Sequence, residues 1–222
     1  MKRKERKYSD TAGIILAGGQ SRRMGTDKAL LKIGNSYVIQ RVVSALEPCV
    51  SQLGLAAPAD RNYDFLQLPI AEDSFPGQGP LSGLYAGMNS LDAQWYVLSA
   101  CDLPFASTRL LEIMLEHVHS VAGEDVPVQI VLPTYEGRHH PLYAVYHRSV
   151  YASLETALHS KQLRVMDWLQ QHQVAELSLE QLLAQRSESN GDDLSPWCLH
   201  NMNDPASYQL ALQQMDSDRE LY

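Results

Sequence analysis

Short apolar runs alternate with segments of helical periodicity along the first half of the chain. Four runs are bounded by turn-forming residues and predict buried strands: Ile14–Ala17, Gln52–Ala56, Gln67–Ala71 and Trp95–Ala100. Between the runs, apolar residues recur at spacings of three and four, which predicts helices from about Ser36 to Leu46, over 81–90 and over 110–118. Strands therefore alternate with helices.

This alternation predicts an α/β fold, a Rossmann-like three-layer α/β/α arrangement with a mostly parallel central sheet. Right-handed crossovers place the loops that follow parallel strands along one edge, where ligands bind in such sheets. Gly18, Asp73 and Asp102 each follow a predicted strand. We therefore expect these three residues to converge on one crevice.

The pattern changes after residue 125. The runs Val128–Leu132 and Leu142–Tyr146, with Glu136-Gly137-Arg138 between them, predict a small β-hairpin excursion. Helices are predicted over 150–158 and 165–171, an exposed loop over 187–193, and a short strand over Trp197–Leu199. Asp204-Pro205 predicts the start of a last helix, with Asp as its N-cap.

Charge is distributed unevenly. The 222 residues carry 18 Lys and Arg against 26 Asp and Glu, a net charge of −8, yet five of the basic residues lie in the first seven positions. We interpret residues 1–11 as a basic disordered arm and 12–222 as a single domain. The acidic body argues against a nucleic-acid partner, because that binding requires a basic face.

Other sequence features indicate a cytoplasmic protein without a membrane segment. The three cysteines are widely spaced and form no CxxC pair, so the sequence gives no indication of a disulfide framework or of a zinc site. The basic amino terminus lacks the apolar core of a secretory signal. No apolar run approaches the ~18 residues that span a bilayer.

A glycine-rich segment carries the most informative chemistry. Directly after the first predicted strand stands Leu16-Ala-Gly-Gly-Gln-Ser-Arg-Arg-Met-Gly-Thr-Asp-Lys28. Its glycines allow backbone N–H groups to approach an anion, and Arg22, Arg23 and Lys28 add positive charge. The glycine spacing fits neither the P-loop nor the dinucleotide-binding fingerprint. The segment suggests a cradle for a polyphosphate, with a solvated glycine turn as the alternative.

This segment resembles the glycine-rich motif of the molybdenum-cofactor guanylyltransferase family within the nucleotidyltransferases. Further motifs occur in the family's order and near its spacings, so that the resemblance extends from about residue 12 to 215: Glu72-Asp-Ser74, Gly79-Pro-Leu-Ser-Gly83, Cys101-Asp-Leu-Pro104, His140-Pro-Leu142, Arg164-Val-Met166 and Asn201-Met-Asn203-Asp-Pro205.

The resemblance implies transfer of GMP from GTP to the terminal phosphate of molybdenum-bound molybdopterin, with release of pyrophosphate. It implies that residues 12–105 bind GTP and that residues 106–222 face molybdopterin. Other cofactor-biosynthesis proteins and acceptor molybdoenzymes are the protein partners it suggests. The difficulty of this chemistry is electrostatic, because two polyanions must meet, and it calls for cations and a metal ion.

The resemblance also implies roles for individual residues. Arg23 and Lys28 would bind the triphosphate, and Asp102 would hold Mg²⁺ unless it only caps its turn. The nucleotide-binding set comprises Leu16, Ala17, Gly18, Gly19, Lys28, Asp73, Gly79, Gly83 and Asp102. For Asp73 a loop-capping role is the alternative to a guanine or ribose contact. The molybdopterin-binding set comprises Arg164, Asn201 and Asn203.

Two departures from the family pattern and three rival functions stay open at this stage. Ala56-Ala57-Pro58 stands where the family often has Asn, and Asn203-Asp204-Pro205 replaces the usual Asn-Thr-Pro. The rivals are a related cytidylyltransferase or sugar-phosphate nucleotidyltransferase, a non-catalytic carrier of GTP or cofactor, and a Rossmann oxidoreductase. The last lacks the required glycine spacing.

Overall fold

The computed structural model describes residues 8–18, 27–58, 63–120, 127–185 and 194–220, with side chains described as far as residue 217. The strands are β1 (Thr11–Leu16), β2 (Lys32–Ile33), β3 (Ser36–Tyr37), β4 (Gln52–Ala56), β5 (Ile70–Ala71), β6 (Trp95–Ala100), β7 (Ile130–Tyr135), β8 (Arg138–His139), β9 (Tyr143–His147) and β10 (Val174–Ser178). The α-helices are α1 (Val38–Leu46), α2 (Pro80–Ser90), α3 (Thr108–Ser120), α4 (Tyr151–His159), α5 (Val165–Leu169), α6 (Leu179–Ala184) and α7 (Pro205–Glu220). None of these helices has the length and apolar character needed to cross a bilayer.

The central sheet has the strand order β10-β7-β9-β6-β1-β4-β5, with β8 paired to β7. Strands β5, β4, β1 and β6 are mutually parallel, and β9 is antiparallel to both of its neighbours. The carboxyl ends of the four parallel strands therefore lie on one edge, which we call the carboxyl edge. The predicted fold class, with its hairpin, is confirmed.

Side-chain alternation along the strands builds a core on each face of the sheet. In β1, Ile15 packs with α1 and α3, whereas Ile14 and Leu16 pack on the opposite face with α2 and α4. This is the period of two that a strand imposes on its side chains. A smaller cluster joins α7 to the β2–β3 hairpin through Ile33, Met202 and Ala211, among others.

Gly87 sets how closely α2 approaches β1. A Cβ atom at this position would lie 2.5 to 2.7 Å from three side-chain carbons of Ile14. We expect Gly87→Ala to destabilise the protein by about 1–3 kcal/mol, because a well-packed core resists added volume. That cost corresponds to a fall in Tm of roughly 2–4 °C per kcal/mol for a chain of this size, measured by thermal unfolding. Ser90→Ala, at an exposed position of the same helix, is the control and should leave Tm nearly unchanged.

The structure corrects several predicted boundaries. The strand predicted over Gln67–Ala71 is limited to Ile70–Ala71, since Gln67 has a left-handed backbone and Pro69 has no N–H to donate. The strand predicted over Trp197–Leu199 is instead a 3-10 helix, Pro196–Leu199. Tyr8, assigned to the basic arm, is buried and forms an edge contact with the ring of His119.

Other predictions for the second half have mixed outcomes. The last helix begins at Pro205 as expected, and the Ser207 N–H donates to the Asp204 carboxylate (2.8 Å). The hairpin turn at Glu136-Gly137 joins β7 to β8, while β9 returns beside β7. Strand β10 and helix α6 were not predicted. The loop predicted over 187–193 lies outside the described residues.

Candidate active site

The carboxyl edge brings the predicted strand-end residues to the same side of the sheet. Gly18 follows β1, Asp73 follows β5, and Asp102 follows β6. Backbone hydrogen bonds fix the strand ends: Cys101 N–H donates to the Leu16 carbonyl (3.1 Å), and Ala17 N–H donates to the Ala56 carbonyl (2.9 Å). Of Leu16, Ala17 and Gly18, only Gly18 is exposed. It is the one of the three whose backbone a ligand reaches most readily.

Asp102 is a mostly buried carboxylate, with 16% of its side chain exposed. Its Oδ2 lies 3.8 Å from Lys28 Nζ, and its buried Oδ1 has no hydrogen-bond partner among the described residues. Burial raises the pKa of the Asp102 carboxyl above its ordinary value, although the Lys28 ammonium acts to lower it. The site therefore carries an anionic oxygen that the protein itself satisfies incompletely.

Lys28 is positioned by a short turn that begins at Asp27. The Asp27 Oδ1 accepts from the Ala29 N–H (3.1 Å) and so caps the 3-10 helix Lys28–Leu30. The Lys28 ammonium donates to Asn203 Oδ1 (3.1 Å) in addition to its contact with Asp102. One ammonium thus links the loop after β1, the loop after β6 and the segment before α7.

The segment that contains Asn201 and Asn203 is held against this site from two sides. The Met202 N–H donates to the Asp102 carbonyl (3.0 Å), and the Tyr208 hydroxyl of α7 donates to the Lys32 carbonyl (2.9 Å). The Asn201 Oδ1 atom is buried and has no hydrogen-bond partner among the described residues. An unsatisfied buried amide oxygen is costly in a closed core, so this atom is a candidate acceptor for a ligand.

Asp204, which stands where the family usually has threonine, adds a further negative charge to this segment. Hydrogen bonds from the Ser207 backbone and hydroxyl lower the pKa of Asp204, and the Lys28 charge contributes in the same direction. The carboxylate therefore stays ionised at neutral pH, where it serves as the cap of α7.

Asp73 organises the loop that leads into α2. Its Oδ1 accepts from the Phe75 N–H (2.9 Å) and from the Ser82 hydroxyl, which ties the start of the loop to the first turn of the helix. These contacts are the ones expected if Asp73 caps the loop, which was the alternative to a guanine or ribose contact. They occupy only Oδ1, since Oδ2 has no partner in the part of the chain that the structure describes.

Two glycines of this region differ in their surroundings. Gly79 is exposed, has a φ of +77° and would meet no atom within 4 Å if a Cβ were added, so its backbone borders open space. A Cβ on Gly83 would instead collide with Leu16 Cδ2 and lie 3.4 Å from the Ala56 Cβ. Gly83 is explained by close packing of α2 on β1 and β4, a reason that the sequence alone did not give.

Arg164 lies in the segment between α4 and α5. It is exposed and precedes α5, five residues after the end of α4. That end of α4 lies beside the loop after β5, because the His159 ring makes an edge contact with Phe75 (5.0 Å between centroids). Gly19, Arg22 and Arg23 lie outside the described residues, so their predicted contacts stay predictions.

The structure adds contacts that sequence analysis missed. The Tyr63 hydroxyl donates to Asp27 Oδ2 (2.8 Å), 36 residues away in the chain, and no local pattern could have indicated it. The contact between Lys28 and Asn203 spans 175 residues. His140 opens the His140-Pro-Leu142 motif but was assigned no role from the sequence. It is half-buried near the end of β6, where the Ala100 N–H donates to the Leu142 carbonyl, and burial followed by the Arg138 charge lowers its pKa.

Among the described residues, no group of three or more His, Cys, Asp or Glu side chains is arranged to hold a metal ion. The candidate anchor is Asp102, because its buried Oδ1 has no hydrogen-bond partner among the same residues. A single carboxylate is compatible with Mg²⁺, which is commonly held by one or two carboxylates together with phosphate oxygens and water.

Comparison with known proteins gives consistent results. The family model of the MobA-like NTP transferase domain matches residues 13–176. A protein of Carboxydothermus hydrogenoformans named probable molybdenum cofactor guanylyltransferase is 35% identical over 201 residues, which cover 90% of this chain and 93% of that protein. One of the same name from Pelotomaculum thermopropionicum is 34% identical over 172 residues, covering 78% of this chain and 80% of that protein.

Solved structures share the fold. The crystal structure of molybdopterin-guanine dinucleotide biosynthesis protein A from Archaeoglobus fulgidus superposes with a TM-score of 0.75 at 20% sequence identity. The superposition covers 93% of this chain and 99% of that chain. At this identity the likeness concerns the fold: a central, mostly parallel sheet flanked by helices.

Proposed function

The chain belongs to the MobA-like NTP transferase family, and from that premise we propose that it transfers GMP from GTP to the terminal phosphate of molybdenum-bound molybdopterin. Two relatives that are named for this activity are 35% and 34% identical to this chain, and the matched segments cover most of their length. The observation that carries the proposal is the convergence of Lys28, Asp102 and Asn203 at the carboxyl edge. The products are molybdopterin guanine dinucleotide and pyrophosphate.

The reaction requires stabilisation of negative charge rather than a strong base. A terminal phosphate oxygen of molybdopterin bonds to the α-phosphorus of GTP, while the bond from that phosphorus to the α,β-bridging oxygen breaks. The electron pair of the broken bond leaves with pyrophosphate. Because a phosphate monoester is largely ionised near neutral pH, no proton must be removed from the nucleophile. Cations and fixed orientation then supply most of the rate enhancement.

The candidate site residues divide this task between them. Lys28 binds oxygens of the triphosphate as a compact positive charge, with Arg23 as its predicted companion. The open backbone at Gly79 and the Asp73 Oδ2, which has no partner among the described residues, are available to guanine and ribose. Arg164, Asn201 and Asn203 bind the molybdopterin side. In this arrangement Asn203 contacts both halves, since its amide already accepts from Lys28.

Asp102 fits a divalent cation because its buried Oδ1 lacks a hydrogen-bond partner among the described residues. We propose Mg²⁺, a hard cation that takes carboxylate, phosphate and water oxygens. When bound, this ion offsets the negative charge of the triphosphate and of the leaving pyrophosphate. The protein's own part is to hold the Asp102 backbone in place through the Met202 N–H, with the Lys28 ammonium 3.8 Å from the side-chain Oδ2.

We also propose a cytoplasmic setting. Among the described residues, Cys49, Cys101 and Cys198 form no disulfide, as is typical of a reducing compartment. There the product would be received by molybdoenzymes or by other proteins of cofactor biosynthesis.

A nucleotide-selectivity assay tests the proposed reaction. With Mg²⁺ and molybdenum-bound molybdopterin present, we expect pyrophosphate release from GTP to exceed that from CTP, ATP or UTP by on the order of 100-fold, because guanine offers hydrogen-bonding groups that the others lack. Omitting molybdopterin should abolish release. Equal turnover with CTP would contradict the proposed function, faster turnover with CTP would favour a cytidylyltransferase, and nucleotide binding without turnover would favour a carrier.

A further inference from the structure

We propose that Tyr63 is a positioning residue for nucleotide binding: its hydroxyl joins the two ends of the glycine-rich segment and thereby places Lys28. The inference rests on the proposed function, because it assumes that this segment binds the triphosphate of GTP. Neither the motifs nor the predicted site residues include Tyr63.

The contacts of Tyr63 bracket the glycine-rich segment. Its hydroxyl donates to Asp27 Oδ2 at 2.8 Å, and the Ala17 carbonyl lies 3.4 Å from the same oxygen. Ala17 is the first residue after β1, and Asp27 immediately precedes the turn that carries Lys28. One side chain therefore contacts the chain on both sides of residues 18–26.

The position of Lys28 depends on this contact through Asp27. The two carboxylate oxygens of Asp27 have separate partners: Oδ2 accepts from Tyr63, and Oδ1 accepts from the Ala29 N–H that opens the Lys28–Leu30 turn. A hydroxyl that fixes the carboxylate thus fixes the start of this turn. The Lys28 ammonium then reaches Asp102 and Asn203.

The hydroxyl, rather than the ring, carries this role. Tyr63 is only 1% exposed and its ring packs in the core formed with α1 and α3, where phenylalanine would fill nearly the same space. A buried hydroxyl is costly unless it is hydrogen-bonded, and here it donates to the Asp27 carboxylate, with the Ala17 carbonyl 3.4 Å from the same oxygen. A hydrogen bond to a charged carboxylate is also stronger than one between neutral groups.

The test is GTP affinity in Tyr63→Phe, measured by isothermal titration calorimetry on the full chain with Mg²⁺. We expect the Kd for GTP to rise about tenfold, which corresponds to ~1.4 kcal/mol. In steady-state assays the KM for GTP should rise by a similar factor, while kcat changes less than threefold. A purely structural role would lower Tm without this selective loss of affinity.

Tyr96→Phe is the matched control. Tyr96 is also fully buried and its hydroxyl donates to the Leu91 carbonyl (2.9 Å), but it lies near the start of β6, at the opposite edge of the sheet. Its loss should lower Tm and leave the Kd for GTP within about twofold. If both variants bind GTP equally, the positioning role of Tyr63 is wrong.

Asp27→Ala provides a second route to the answer. If Tyr63 acts through Asp27, the double variant Tyr63→Phe with Asp27→Ala should bind GTP no more than about twofold less tightly than Asp27→Ala alone. The reason is that each substitution removes the same hydrogen bond. Independent, multiplicative losses would overturn the inference. Wild-type protein that fails to bind GTP would contradict the proposed function instead, so the two failures are distinguishable.

Discussion

Replacing Asp102 with asparagine is expected to lower kcat/KM by about 10³-fold, the upper range for removing one electrostatic contribution to a transition state. The substitution keeps the shape of the side chain and the backbone contact with Met202. It removes the negative charge of the carboxylate, which we propose binds the cation. The initial rate of pyrophosphate release at GTP concentrations well below KM, with saturating Mg²⁺, measures this effect. In a separate Mg²⁺ titration, the concentration that gives the half-maximal rate should rise.

The same substitution is expected to stabilise the ligand-free protein. Burial raises the folded-state pKa of Asp102, so the folded protein holds this proton more tightly than the unfolded chain does. The ionised carboxylate therefore disfavours folding at neutral pH, and this penalty disappears as the pH falls through the raised pKa. Because the asparagine side chain carries no charge, Tm at pH 7 should rise in Asp102→Asn.

Asp92→Asn is the control for both measurements, because Asp92 is exposed and lies between α2 and β6, away from the carboxyl edge. It should leave the rate and Tm nearly unchanged. An Asp102→Asn protein with the wild-type rate would exclude Asp102 from the mechanism. A fall in Tm would instead show that its charge supports the fold through Lys28.

The fold followed from the sequence where local pattern and burial agreed. The runs Gln52–Ala56 and Trp95–Ala100 match β4 and β6 at both ends, since most residues of each run are buried and the runs are bounded by turn-forming residues. The pattern was misleading at Trp197–Leu199, where a short apolar run suits a strand or a 3-10 turn equally and Pro196 favours the turn. Strand β10 was missed because its side chains are only partly buried and alternate weakly.

The site was predictable only as far as strand topology determines it. Asp73 and Asp102 could be placed at one edge because both follow strands that the alternation made parallel. The pairing of Lys28 with Asn203 could not, because it depends on how α7 packs on the β2–β3 hairpin. That packing is a tertiary result with no local periodicity to indicate it.

Lys28→Ala is expected to have the second largest effect, a loss of about 10²-fold in kcat/KM for GTP, because a charged donor aimed at developing negative charge typically contributes that much. Both the KM for GTP and kcat should change, since the ammonium meets the triphosphate before and during transfer. Lys28→Arg should recover only part of the activity: its planar guanidinium keeps the charge but does not reproduce the compact contact with Asp102 and Asn203.

Lys32→Ala separates this role from a general effect of lost positive charge. Lys32 lies four residues away, is exposed, and its ammonium lies 5.5 Å from the centre of the Tyr37 ring. Its substitution should change kcat/KM less than twofold, and salt should weaken GTP binding to wild type more than to Lys28→Ala. Equal losses in the Lys28 and Lys32 variants would mean that net charge, rather than the placement of Lys28 beside Asp102, governs binding.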